Sequence, residues 1–347
     1  TAHYDQKDVR ECVLHTIPLR FGVVTDIAPD IRLTLHNSGH ILGASMVHLH
    51  IGEGLHNIVY TSDYKFGRTM LLEAAATEFP RIETVVTEST YGGQEDFMPS
   101  RVESEENLTH VINETLERKG KVLIPVPAVG RAQEIMLIID GYMKRGLMKE
   151  APVFIEGMIS EATAIHTAYP EYLSREVRHS ILHEEVNPFQ SDYFTIVEHP
   201  SVRQGIMEGE PCIVLATSGM LEGGPVIEYF KNWASDPKNT IIFVSYQIEG
   251  TMGKRVQKGV NEVTMMDNEG KMGVVQVQMQ VESIEGFSGH SDRRQLINYL
   301  THLKPKPERI FVCHGEKSKI NNIASFLDHK AGIPTVVPAI LETFRLL

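Results

Sequence analysis

No stretch of this sequence stays apolar for the ~18 residues that a membrane-spanning helix requires, and its opening residues, TAHYDQKDVRECVL, do not read as a signal peptide. Cysteine is scarce: the chain has three, Cys12, Cys212 and Cys313, with no CxxC spacing of the kind that holds a metal. Cys212 and Cys313 fall in apolar, strand-like runs, which suits buried thiols in a reducing cytoplasm. Positive charge is also short. Lys and Arg number 33 against 45 Asp and Glu, a formal net charge of −12, and non-specific wrapping of nucleic acid needs the opposite balance. A local basic cleft is compatible with that total. What the chain does contain is 42% hydrophobic and 22% charged residues, the proportions of a globular protein with a sizeable core. Its 347 residues suit two domains, or one large domain carrying an insertion.

Short β-branched runs recur along the chain: HNIVYTSDY, IETVVTEST, KVLIPVP, PVFIEG, CIVLATSG, NTIIFVSY and RIFVCHGE. Each is too short for a helix and rich in residues that pleated strands favour. Helical periodicity fills several of the gaps. SEENLTHVINETLERKG has Ser104 placed as a cap and Gly120 as a stop, and GRAQEIMLIIDGYMKRG carries an apolar face. Strands alternating with helices predict an α/β architecture with largely parallel sheets. The segment LTLHNSGHILGASMVHLHIGEGLHNIVYTSDY differs: its strands are separated by Gly-rich turns, which predicts an antiparallel region. QEDFMPSRVESEEN reads as a charged linker between two compact units.

Strand after strand ends on small or polar residues, as in VVTESTYGG, LIPVPAVGRAQE, VLATSGMLEGGP, FVSYQIEGTMGKR and FVCHGEKSK. In open α/β sheets, ligands bind beyond the carboxyl ends of the strands, where helix N-termini and free backbone N–H groups converge. These ends predict an anion-binding cleft, with Arg131, Lys254, Arg255 and Lys317 supplying the positive charge the whole chain lacks. Most of the 16 histidines have a plainer reading. His48 and His50 form an HxH pair, but alternation places both on one face of a hairpin strand and no Asp-His pair follows. His36, His56, His166, His179 and His183 read as surface or capping residues. His40 is different, because NSGHILGAS places glycines on both sides of it and lets the backbone aim the side chain. Asp63 follows an apolar strand directly in YTSDY, where an unpaired carboxylate is costly to bury. His314 has the same setting in VCHGE. Two histidines and a carboxylate on strand ends suit a metal such as zinc.

SGHILGAS, YTSDY, TESTYGG, GFSGHSD and VCHGE, in that order, resemble the later motifs of the β-CASP branch of the metallo-β-lactamase superfamily. GRAQE, ATSGMLEGGP, YQIEGTMGKR and the C-terminal PAILETFRLL resemble further stretches of its archaeal cleavage and polyadenylation specificity factor-like ribonucleases. The resemblance covers nearly the whole chain. It implies a zinc-dependent ribonuclease of RNA 3′-end processing or decay, an endonuclease with 5′→3′ exonuclease activity in some relatives. It implies that His40 binds one zinc, that Asp63 bridges two, and that His314 binds the second. Glu88 and His290 match the pair in which a carboxylate orients a histidine near the scissile phosphate. The chemistry agrees, since phosphodiester hydrolysis needs a nucleophile, charge neutralisation and a proton for the leaving oxygen. Paired metals supply the first two, and a carboxylate-held histidine supplies the third. Arg131, Ser218, Lys254 and Arg255 are the candidates for RNA phosphate contacts. Ser288, Ser291 and Asp292 are expected to cap the next helix, with Arg293 and Arg294 on its first turn.

The family's main metal motif, HxHxDH, and its KH-type RNA-binding domains have no counterpart here. With only His40, Asp63 and His314 as ligands, the expectation is a fragment of a larger protein that binds metal weakly and is inactive alone. The expected fold is α/β: a partial metallo-β-lactamase αββα domain from residues 1–91 and 286–347, with a β-CASP domain, a parallel sheet flanked by helices, inserted as residues 92–285. Three functional readings follow. One is the catalytic remainder of a zinc ribonuclease. Another is a small-molecule metallo-hydrolase such as a thioesterase, against which the long insertion argues by forming a groove for a polymer. The third is a non-catalytic dimerisation and RNA-clamping module, which the missing ligands favour. The C-terminus adds a further expectation. Val336, Val337, Ile340, Leu341, Phe344, Leu346 and Leu347 are too many apolar residues for one small core. The resemblance implies a homodimer joined through this tail; the alternative is a terminal strand docked on its own domain. No membrane partner is expected.

Overall fold

The structure, a computed structural model, describes residues 3–266 and 271–346. Helix α1 (Gln6–Leu14) starts at Asp5, whose carboxylate accepts the Lys7 and Asp8 N–H groups, and buries none of its residues. Strands β1 (Val24–Ala28), β2 (Ile31–Asn37), β3 (Ser45–Ile51) and β4 (His56–Tyr60) then run antiparallel to one another, as the Gly-rich turns predict. β5 (Thr84–Thr87) pairs parallel with β4. The chain leaves this sheet through α2 (Arg101–Glu117), whose cap is Ser100: its Oγ accepts the Glu103 N–H and the Glu103 carboxylate accepts the Ser100 N–H. Ser104, the expected cap, lies a turn further in and donates its hydroxyl to the Ser100 carbonyl. The reciprocal Ser100–Glu103 pair satisfies two end N–H groups at once, which a lone Ser104 does not. Residues read as linker are therefore helix from Arg101 onward.

Strands and helices then alternate: β6 (Val122–Pro125), α3 (Arg131–Lys144), β7 (Val153–Glu156), α4 (Ile159–Ala168), α5 (Arg175–His183), β8 (Phe194–Ile196), α6 (Arg203–Glu208), β9 (Ile213–Ala216), α7 (Val226–Trp233), β10 (Thr240–Phe243) and α8 (Met252–Gln257). A hairpin of β11 (Glu262–Met266) and β12 (Met272–Gln276) precedes β13 (Gln280–Ser283). The six-stranded sheet has the order β13-β10-β6-β9-β7-β8, with every pairing parallel. Its central strands β6, β9 and β10 are buried at every position. Uninterrupted apolar runs are what a parallel sheet covered on both faces requires. α3 departs from its one-faced expectation, since every residue from Arg131 to Asp140 is buried.

α9 (Arg293–His302), β14 (Arg309–Val312), α10 (Lys317–His329) and β15 (Thr335–Val336) return to the first sheet, whose order is β1-β2-β3-β4-β5-β14-β15. That sheet is covered unevenly. Met46, Val59, Val85, Ile310 and Val312 form a core with Tyr299, Leu300 and Leu327 of α9 and α10. Strand register puts Leu33, Leu35, Val47, Leu49, Ile58, Tyr60 and Val86 on the opposite face, and none of these is buried. Among the described residues, no second layer of the kind such sheets require covers this apolar face.

Two histidines expected at the surface are buried. His56 Nε2 lies 3.0 Å from Thr84 Oγ1, and His166 Nδ1 donates to the Ala162 carbonyl at 2.7 Å. Each imidazole has a polar partner, which makes its burial tolerable. Cys212 is buried and Cys313 half-buried. Among the described residues, no helix is long and apolar enough to cross a membrane. The C-terminal tail divides. β15 pairs with β14, and Phe344 meets Phe311 with ring centroids 5.1 Å apart. Ile340 and Leu341 are 95% and 97% exposed. Leu347 lies outside the described residues.

Candidate functional site

Asp63, Glu88 and His314 sit just past the carboxyl ends of β4, β5 and β14, neighbouring strands of one sheet. His40 comes from the turn between β2 and β3, and His290 from the segment before α9. Backbone geometry aims these groups. Gly39 has φ +71°, and a Cβ there would lie 2.8 Å from the Glu73 carbonyl oxygen and 2.9 Å from that of Lys65. Only glycine lets the turn pass so close. Ser62 and His314 have φ of 50° and 46°, a region that costs a non-glycine residue ~1 kcal/mol or more. His314 thus turns back over the strand ends toward Asp63.

His290 is held from both sides. Its Nδ1–H donates to both Glu88 carboxylate oxygens, at 2.9 and 3.0 Å. Glu88 also accepts the Tyr64 N–H and, at 2.5 Å, the Thr90 hydroxyl. The backbone carrying His290 is fixed to residues 64–66. Ser291 N–H donates to the Tyr64 carbonyl, Phe66 N–H donates to Ser291 Oγ, and Lys65 Nζ donates to the His290 carbonyl at 2.8 Å. The expected cap assignments divide accordingly. Asp292 caps α9 by accepting the Gln295 N–H, Ser288 accepts the His290 N–H, and Ser291 joins two chain segments instead of capping.

These bonds set the charges. Burial alone would lower the His290 pKa, but the Glu88 hydrogen bond and charge outweigh it and hold His290 above the ordinary histidine value. Burial would raise the Glu88 pKa, yet His290, Thr90 and the Tyr64 N–H together hold it below the usual carboxylate value. Each partner therefore favours the charged form of the other. His40 has the opposite balance. Burial lowers its pKa, and the bond from its Nδ1–H to the Gly289 carbonyl at 2.9 Å does not compensate. Its imidazole is neutral at physiological pH, with the Nε2 lone pair free, as metal ligation requires.

His40 Nε2 lies 3.9 Å from Asp63 Oδ2, and His314 Nε2 lies 3.4 Å from Asp63 Oδ1. The two carboxylate oxygens thus face different imidazoles, as a carboxylate bridging two cations would. Potential ligand atoms of His40, Asp63 and His290 also lie within 4.8 Å of one another. His290, expected near the scissile phosphate, joins this tighter group, while His314 stands 62% exposed at the other oxygen. The donors suit zinc in kind, being imidazole nitrogen and carboxylate oxygen, and are fewer than the three or four per ion that zinc ordinarily takes.

A cavity of about 210 Å³ adjoins the His290 segment and is lined by Tyr91, Tyr246, Lys254, Ser288 and Lys319 among others. Tyr91 and Tyr246 meet edge to face at 6.2 Å, and Lys319 Nζ sits 5.5 Å from the Tyr91 ring centroid. Of the residues singled out for phosphate contacts, Lys254 lines this cavity. Arg131 lines a different one. Ser218 Oγ accepts the Glu222 N–H, and Arg255 is exposed on α8. Lys317 is exposed at the start of α10. Sequence reasoning missed Lys65, Thr90, Tyr91 and Lys319. Thr90, Tyr91 and Lys319 lie inside quoted motifs and Lys65 next to one, so adjacency was the available signal.

Residues 132–256 match the Beta-Casp domain, and residues 274–338 match the Zn-dependent metallo-hydrolase RNA specificity domain. The chain is 55% identical over 343 residues to Transcription termination factor FttA of Methanothermobacter thermautotrophicus, covering 99% of this chain and 54% of that protein. It is 55% identical over 344 residues to the factor of the same name from Thermococcus kodakarensis, covering 99% and 53%. The chain spans about half the length of the curated relatives it matches. A crystal structure of an Enterococcus faecalis protein of unknown function shares the fold, with a TM-score of 0.53 at 11% identity, covering 94% of this chain and 66% of that one. From the ordered strand-end motifs, the two matched domains and these relatives, the chain belongs to the β-CASP branch of the metallo-β-lactamase superfamily, among its archaeal cleavage and polyadenylation specificity factor-like members.

Proposed function

We propose that this chain carries part of the active site of a zinc-dependent ribonuclease that acts at RNA 3′ ends, in processing, decay or transcription termination, in the cytoplasm. The observation that carries the reading is the Glu88–His290 pair standing beside His40, Asp63 and His314. The relatives named as transcription termination factors and the matched RNA specificity domain support RNA as the substrate. His40 and Asp63 would hold one zinc ion, and Asp63 with His314 a second. Zinc bound there supplies a nucleophile at neutral pH and neutralises charge on the phosphate. His290 is the acid: Glu88 fixes the proton on Nδ1 and favours the cation, so Nε2–H gives its proton to the leaving oxygen. Lys254, Arg255, Ser218 and Arg131 are assigned to phosphates of the strand.

In this reading residues 1–91 and 286–347 form one unit and 92–285 the other, with the site between them. The remaining ligands come from residues beyond these. Two observations support that: the short ligand set, and the half-open apolar face of the seven-stranded sheet. The same short ligand set favours a second reading for these residues alone, a non-catalytic dimerisation and RNA-clamping module. Full-length protein separates the two. His290→Ala should remove at least ~100-fold of the cleavage rate on an RNA oligonucleotide while zinc content stays near wild type. His314→Ala should lose zinc as well as cleavage. Equal zinc loss in both would make His290 a ligand and not the acid, and RNA binding without any cleavage in the unaltered protein would favour the clamp.

A further inference from the structure

A cavity of about 360 Å³ lies among residues 65–69 and the starts of α2, α3 and α9, and none of His40, Asp63, His290 or His314 lines it. Its wall is unusual for a chain of formal net charge −12: five cationic side chains face three carboxylates. All three carboxylates are already engaged by backbone N–H groups. Glu134 accepts from Met70 and Leu71, Asp292 from Gln295 and Met98, and Glu103 from Ser100. Among the cations, Arg68 pairs with Glu73 and Glu176, Arg101 pairs with Glu105, and Lys65 donates to the His290 carbonyl. Two arginines are left over. Arg294 is exposed at the rim, over the Phe97 ring at 5.6 Å. Arg131 is only 9% exposed, and among the described residues its guanidinium has neither an ion pair nor a hydrogen-bond acceptor.

Glu134 in the same wall is its opposite charge, but the guanidinium donors facing the cavity have no protein acceptor, and their planar fork matches two oxygens of a phosphate. A second unmatched group lies in the same wall: Gln295 Oε1 is buried without a partner, and an amide turned about would present its NH₂ there. Lys65 also keeps donors beyond the one it gives to His290. We propose that this cavity is a phosphate-binding site, with Arg131 at its floor and Arg294 at its mouth, separate from the metal-facing cleft. The oxyanion has two possible sources, a phosphodiester of an RNA strand or free phosphate. Only the first source rests on the ribonuclease reading.

The test is calorimetric titration of metal-free full-length protein with inorganic phosphate, with and without a saturating short RNA oligonucleotide. One phosphate per chain is expected. Arg131→Met should weaken it about tenfold or more, Arg294→Gln about threefold, and Lys304→Gln, an exposed lysine that lines neither cavity, not at all. Competition by the oligonucleotide assigns the site to the strand; undiminished phosphate binding in its presence assigns it to free phosphate. Should Arg131→Met fail to fold, the exposed Arg294→Gln carries the comparison. Absence of phosphate and oligonucleotide binding in the unaltered protein overturns the proposal, as does equal phosphate affinity in all variants. His290→Ala should keep phosphate binding while losing cleavage, so the cavity and the ribonuclease reading fail separately.

Discussion

His48 has no exposed surface; its Nε2 donates to the Arg81 carbonyl and its Nδ1 has no partner. Burial first, and then His50 and His36 nearby, push its pKa down to about 4. In an unfolded chain a histidine titrates near ~6.5. Between these values the unfolded state binds the extra proton, so stability is full above ~6.5 and falls as pH drops through 4, by on the order of 3 kcal/mol. His36, also lowered chiefly by burial, acts in the same direction. We expect His48→Gln to flatten this acid limb, measured as the change in urea midpoint between pH 7 and pH 4.5. An equal change in variant and wild type would place the acid sensitivity elsewhere. Sequence alternation put His48 and His50 on one strand, and both lie on β3. It did not reveal that His48 is the fully buried one, because burial depends on Phe79 and its neighbours across the sheet.

The segment before α9 shows what an element's own sequence leaves open. SGHSD contains three residues able to cap a helix, and Asp292 does so. Ser291 instead accepts the Phe66 N–H and donates to the Tyr64 carbonyl, 227 residues earlier in the chain. Local spacing carries no information about a partner at that distance. Ser291→Ala should leave the Phe66 N–H buried without its acceptor, a loss of about 1–3 kcal/mol read by urea unfolding. Because Tyr64 also donates to Glu88, the same change should loosen His290, lowering cleavage more than zinc content. A variant as stable as wild type would mean that water replaces the hydroxyl. α2 gives the converse case: its cap was legible as Ser100–Glu103, and the serine further in drew attention away from a pair the rules favour.

At the scale of the molecule, the C-terminal tail links fold to assembly. β15 and Phe344 dock on β14, whereas Ile340 and Leu341 project fully into solvent. Our reading is that these two anchor a second copy in a two-fold dimer. Deleting Leu341–Leu347 should then give a monomer by sedimentation; a dimer that survives the deletion would assign the tail to its own sheet. By itself the sequence determined the strand runs, the switch from antiparallel to parallel pairing, and the strand-end residues Asp63 and His314. Those features follow from periodicity and local turn chemistry, which act between near neighbours. The resemblance already paired Glu88 with His290; only the tertiary structure decided that Lys65 and Ser291 hold His290 in place, and that Arg131 faces a cavity apart from Lys254. Those relations join segments up to 227 residues apart, and they depend on which strands become neighbours when the chain returns to its first sheet.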